Sequence, residues 1–222
     1  MKDSILWTNS TEERDRILVR SFIERFFGKD GWDNAQHEEK IMRRIRTPDW
    51  QTRFPVRNFV FFAHYANQIR IVELRTSLFM QSLDALYPYL VPAQERGTDL
   101  SKERYATKLS NIARTLYGRK FNKGTCGAVE IVRNHLMHTA SLTGLMTPRG
   151  EGTSNALIRF VDRKILPRNP HMSEVQGIRF FVRALPACVD EIILRALGLE
   201  DEDIHRSSGA LAFHPWFLGP VD

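Results

Sequence analysis

Apolar residues return every three or four positions along almost the whole chain, and runs that alternate in steps of two are hard to find. That pattern commits the chain to helices packed on helices, an all-α fold built as an irregular bundle of about six to seven helices. Thr11-Glu12-Glu13 opens a first helix, with Ile17, Leu18, Phe22 and Phe26 on its apolar side and Gly28 as its stop. A charged stretch around His37 to Arg46 reads as a second helix, short and exposed, and Pro48 and Pro55 bracket a loop. A long helix is expected from about Val56 to Leu86, ended by Tyr87-Pro88, and another from about Ser101 to Tyr117 with Gly118 as its cap. Lys120 to Gly127 reads as a loop into a helix that runs to roughly Leu145. Pro148 to Gly152 breaks the pattern, and two further helices follow, near Ser154 to Ile165 and Ser173 to Leu197, before a tail.

At 222 residues, the chain can bury one substantial core. The expected organisation is an N-terminal helical extension over 1–50, a helical core over 51–147, and C-terminal helices over 148–222 packed on that core within the same domain. No stretch approaches the length of apolar chain that spans a bilayer, and Met1 to Trp7 does not read as a secretory signal. Two cysteines, Cys126 and Cys188, are too few for a disulfide framework or a zinc site. A cytoplasmic address with reduced thiols is the expectation. The net charge is +6, and arginine greatly outnumbers lysine. The planar guanidinium pairs bidentately with phosphate, so this balance leans towards an anionic partner such as nucleic acid. A solvated surface of arginine–carboxylate pairs fits the same composition.

Chemistry concentrates between Cys126 and Met146, where Glu130 and Arg133 are the only full charges in an otherwise apolar and small-residue helix. Polar groups buried without partners cost roughly several kcal/mol, so such a cluster is either paired or used. On a helix turning about 100° per residue, Val129, Val132, Leu136 and Ala140 form the core stripe. Asn134 and His138 lie one above the other on the far side, joined by Ser141, with Ile131, Leu142 and Leu145 on the same side. A half-apolar face bearing these groups suits a subunit interface or cleft. Arg133 and His138 are roughly 140° apart around the axis. They meet only if the arginine swings round, the helix distorts, or two copies pair across a two-fold axis, which is the favoured option.

Arg133-Asn134-His135-Leu136-Met137-His138, on a late helix of an all-α chain, resembles the signature of the HEPN superfamily: an arginine, often a polar residue after it, and a histidine beyond four to six intervening positions. The resemblance covers this motif and the helical pattern around it. It implies a metal-independent endoribonuclease working as a homodimer with a composite site, many relatives being toxins or antiviral defence effectors and some inactive adaptors. RNA is then the partner, and an antitoxin or regulatory protein a possible second one. Carried onto this chain, the catalytic set is Arg133, Asn134 and His138, with His135 and Ser141 in support; no cofactor and no metal are called for. A second match, Arg57-Asn58 followed by His64, stands earlier. The family's late placement of its motif favours the first, and both stay open.

Blander assignments stand beside these. His138 also fits an interface or core histidine, Arg133 also fits an ion pair with Glu130 one turn back, and His135 fits packing. His214-Pro215-Trp216-Phe217 lacks the glycine-rich anion-binding half of a Fic-type motif, and Gly150 and Gly152 are followed by no Lys-Ser/Thr. His171 and His205 stand alone, and Arg43 to Arg46 reads as a solvated run. Two other functions remain: a non-catalytic HEPN-like dimeric module, and a helical nucleic-acid-binding regulator.

Overall fold

The computed structural model describes residues 11–31, 33–47, 58, 62, 65–66, 68–146 and 153–205. It is all-α, as the periodicity predicts. The helices are α1 (Thr11–Phe27), α2 (Asn34–Ile45), α3 (Val72–Leu90), α4 (Tyr105–Tyr117), α5 (Lys123–Thr139), α6 (Thr143–Met146), α7 (Thr153–Lys164), α8 (Glu174–Ala196) and α9 (Asp201–His205).

Chain punctuation explains most boundaries. Gly28 at φ 88° and Gly118 at φ 66° take the left-handed turn that other residues avoid, ending α1 and α4. Ser173 accepts from the Gln176 backbone at 3.3 Å while the Gln176 side chain accepts from the Ser173 N–H at 2.7 Å, a reciprocal cap that starts α8.

Five expectations need correction. Residues 37–46 are not an exposed helix: His37, Glu38, Ile41, Met42 and Ile45 are buried, because α2 folds back on α1. The long helix is interrupted, since Ile69, Arg70 and Ile71 are non-helical and α3 begins at Val72; the β-branched Ile69 and Ile71 lose rotamer freedom in a helix. Pro88 does not stop α3. It sits in the last turn, its carbonyl accepts from Arg96 Nη1 at 2.7 Å, and buried Tyr87 and Val91 hold the chain down on either side. α4 starts at Tyr105 rather than Ser101, because Asp99 ties up the Ser101 N–H at 3.0 Å and its hydroxyl at 2.6 Å in a local turn. The tail expected after Leu197 instead begins with α9, drawn onto the core by buried Leu199 and Ile204; the proline brackets at 48 and 55, the break at 148–152 and residues 206–222 lie outside the described residues.

α8 is the most deeply buried helix and packs on α3, α4, α6 and α7, while α5 packs on α3, α4, α6 and α7. One apolar cluster runs from Leu18 to Ile204. The α1–α2 hairpin is tied to it by Arg25 donating to Asp190 at 2.8 Å and Lys40 donating to Asp203 at 2.7 Å. Among the described residues, no helix is long and apolar enough to cross a membrane.

Candidate functional site

α5 is defined by its two ends. Asn122 caps the start, its side-chain oxygen accepting from the Gly124 N–H at 2.9 Å. So the helix begins at Lys123, inside the stretch expected to be loop. Ala140 ends it, in the left-handed conformation at φ 52°. Thr139 Oγ1 donates to the carbonyl of His135 at 2.8 Å and accepts from the Ser141 N–H at 3.3 Å, turning the chain away. The expected run to Leu145 therefore stops early. Leu142 and Leu145 are 4% and 5% exposed, in the core rather than on the polar face. Ser141 lies beyond the helix and does not continue the column of Asn134 and His138.

Arg133 leaves α5 towards α3 and α4. Its Nη2 donates to Asp84 Oδ2 at 3.0 Å, and its guanidinium carbon lies 5.4 Å from the centre of the Tyr105 ring. Asp84 Oδ1 accepts from Lys108 Nζ at 2.8 Å, so one carboxylate serves two cations and the cluster keeps a net positive charge. Beneath it Tyr105 is buried, donates to the Met80 carbonyl at 3.2 Å, and is kept protonated by that burial. The Arg133–Glu130 pairing is not formed. Glu130 instead accepts from Arg104 at 2.6 Å and from the Ala106 N–H at 3.3 Å, closing the start of α4.

Arg133 also bonds along its own helix. Its Nη1 donates to Asn134 Oδ1 at 3.1 Å, and Asn134 sits one turn below His138 on the exposed side of α5. Asn134 and His138 face solvent, while the Arg133 guanidinium beside Asn134 is largely covered and fixed by Asp84, Asn134 and the Tyr105 ring. Met137 between them is 44% exposed and accepts from Gln81 Nε2 of α3 at 3.6 Å. His135 is a packing residue. Its Nε2 is buried without a hydrogen-bond partner, and its ring lies so close to Gly144 of α6 that a Cβ there would come within 2.5 Å of Cε1.

Of the earlier match, Asn58 is helical and exposed, while Arg57 and His64 lie outside the described residues. Cys126 and Cys188 are free and buried, and burial pushes Cys126 up to about 12 and Cys188 well above the ordinary thiol range, so neither is a nucleophile at neutral pH. Among the described residues, no three His, Cys, Asp or Glu side chains converge as a metal site would require.

Asp84, Lys108 and Tyr105 escaped the sequence reading. One signal was available: Asp84 is the only full charge between Arg75 and Glu95, as conspicuous in its apolar helix as Arg133 is in its own. Comparison with protein-family models, with curated proteins and with solved structures finds no match.

Proposed function

We propose that this chain is a metal-independent endoribonuclease of the HEPN kind, acting in the cytoplasm as a toxin or defence effector. The observation that carries the proposal is Arg133, held by Asp84, Asn134 and the Tyr105 ring on the same helix that exposes His138. RNA brings its own nucleophile. The ribose 2′-oxygen attacks phosphorus as its proton passes to a base, the phosphorus–O5′ bond breaks, and an acid protonates the departing oxygen. The ends left are a 2′,3′-cyclic phosphate and a 5′-hydroxyl. An imidazole suits the proton transfers because its reference pKa of about 6.5 is close to physiological pH. Arg133 stabilises charge on the pentavalent phosphorus, and Asn134, accepting from its Nη1, holds the guanidinium in place.

One exposed imidazole cannot be base and acid at once for the same phosphate. A second copy of the chain, seated on the face of Met137 and Gln81, supplies the other. Leu74, 48% exposed two turns before Gln81 on α3, extends this apolar strip. The same strip also favours a second reading, a dimeric module without catalysis, in which Asp84 merely neutralises Arg133.

The test is to incubate pure protein with total RNA in EDTA and analyse the new ends. Cyclic phosphates and 5′-hydroxyls are expected, with cleavage lowered on the order of 100-fold or more by Arg133→Ala or His138→Ala at unchanged helix content. Loss of activity in EDTA that magnesium restores overturns the chemistry. A folded dimer with no cleavage supports the non-catalytic module.

A further inference from the structure

A second feature of α5 lies at its other end. Its first turns and α7 enclose an open groove of about 570 Å³. Arg104, Lys123, Arg159, Arg163 and Lys164 line it, and among the described residues no carboxylate does. Arg104 is engaged by Glu130, but Lys123, Arg163 and Lys164 are exposed and form no ion pair among the described residues. The floor is small and apolar: Gly124, Gly127, Ala128, Ile131 and Phe160. A Cβ on Gly127 would meet nothing within 4 Å, so the backbone there lies open. The first-turn N–H groups of α5 add their positive end to the same space.

The groove does not stop at its floor. At about 100° per residue, Gly124, Gly127, Ile131, Asn134 and His138 fall within an arc of roughly 80°, so one exposed face of α5 runs from the groove to the candidate site over about 21 Å.

We infer that this groove binds the phosphate backbone of single-stranded RNA and leads the strand along α5 towards His138. A line of cations over a small apolar floor tracks phosphates without reading bases, because the aromatic in the groove lining, Phe160, is only 6% exposed and offers no stacking platform. A cavity in the roughly 300–1,000 Å³ range admits a small ligand, hence a few nucleotides of one strand and not a duplex. Binding is therefore indifferent to sequence and steeply dependent on salt. The link to cleavage rests on the ribonuclease proposal; the polyanion site does not.

The experiment titrates the full chain into a short fluorescent 2′-O-methyl RNA strand, which cannot be cleaved, and follows anisotropy between about 50 and 200 mM salt. Lys123→Glu with Arg163→Glu is expected to weaken binding at least tenfold and to flatten the plot of log affinity against log salt by about 1.4, at roughly 0.7 per lost phosphate contact. Arg163→Gln alone gives about half that change in slope. Arg43→Glu with Arg44→Glu, an equal charge change on α2, binds as the unaltered chain does. An acidic residue in the first turn suits a helix, so Lys123→Glu leaves α5 intact, which circular dichroism checks. Binding unaltered by the groove substitutions overturns the inference, as does polyglutamate displacing the strand as well as unlabelled RNA. Salt-dependent binding without cleavage of total RNA defeats the ribonuclease proposal and leaves the groove standing. Cleavage with binding indifferent to Lys123 and Arg163 does the reverse.

Discussion

Replacing Asp84 by alanine separates the structural from the chemical role of Arg133. The carboxylate holds Lys108 at 2.8 Å and Arg133 at 3.0 Å through its two oxygens, which puts the two cationic nitrogens roughly 6 Å apart. The side chains of Lys108, Asp84 and Arg133 are only 14%, 22% and 31% exposed, so water screens them incompletely. At an effective dielectric constant near 20, two unit charges at that distance repel by about 3 kcal/mol. Asp84→Ala is therefore expected to destabilise the fold by about 2–3 kcal/mol after the side chains relax towards solvent. Arg133→Ala leaves a neutral Asp84–Lys108 pair and forfeits one charged hydrogen bond and the contact with Tyr105, about 1–1.5 kcal/mol. Lys108→Ala added to Asp84→Ala should restore part of the loss, because it removes the repulsion.

Urea denaturation followed by helical circular dichroism measures these differences, and RNA end analysis measures cleavage. Stability falls further in Asp84→Ala, whereas cleavage falls further in Arg133→Ala. If Arg133→Ala destabilises as much as Asp84→Ala and leaves cleavage unchanged, the guanidinium is a structural cation and the reasoning fails.

Two other outcomes follow from the same structure. His37 is 1% exposed, its ring stacked on Phe27 at 4.5 Å, and burial lowers its pKa despite Asp203 at 3.7 Å and Asp33 nearby, with Lys40 opposing protonation. Below about 6.5 the unfolded chain takes up a proton that the folded imidazole refuses, so stability is full above that pH and declines as pH falls. His37→Phe should remove this part of the slope below about pH 6.5; equal slopes in both chains refute it. Gly177→Ala should lower the melting temperature, because the new Cβ would lie 2.5 Å from Val161 Cγ1 of α7 and 3.3 Å from Leu166 Cδ2. Overpacking of roughly 1–3 kcal/mol outweighs the gain of about 1 kcal/mol in helix propensity, and a raised melting temperature contradicts it.

What the amino-acid order determined alone is the all-α class, the rough positions of the longer helices and some of their stops. Apolar spacing, the glycines at 28 and 118 and the Ser173–Gln176 cap act within a few residues of one another, so they are legible without knowing where anything else lies. The motif helix was legible too, because charge is scarce in it. Tertiary structure decided the rest. Asp84 and Arg133 are 49 positions apart, and only the packing of α3 against α5 turns two isolated charges into a pair. The burial of α2 needs α1 beside it, and the early end of α5 needs a left-handed Ala140, a conformation that no local pattern requests. The basic groove belongs to this second class: Lys123 and Arg163 form one electrostatic surface because α5 and α7 pack together. Helical periodicity is written within a turn or two of chain, whereas the meeting of distant charges depends on which faces the core pulls together.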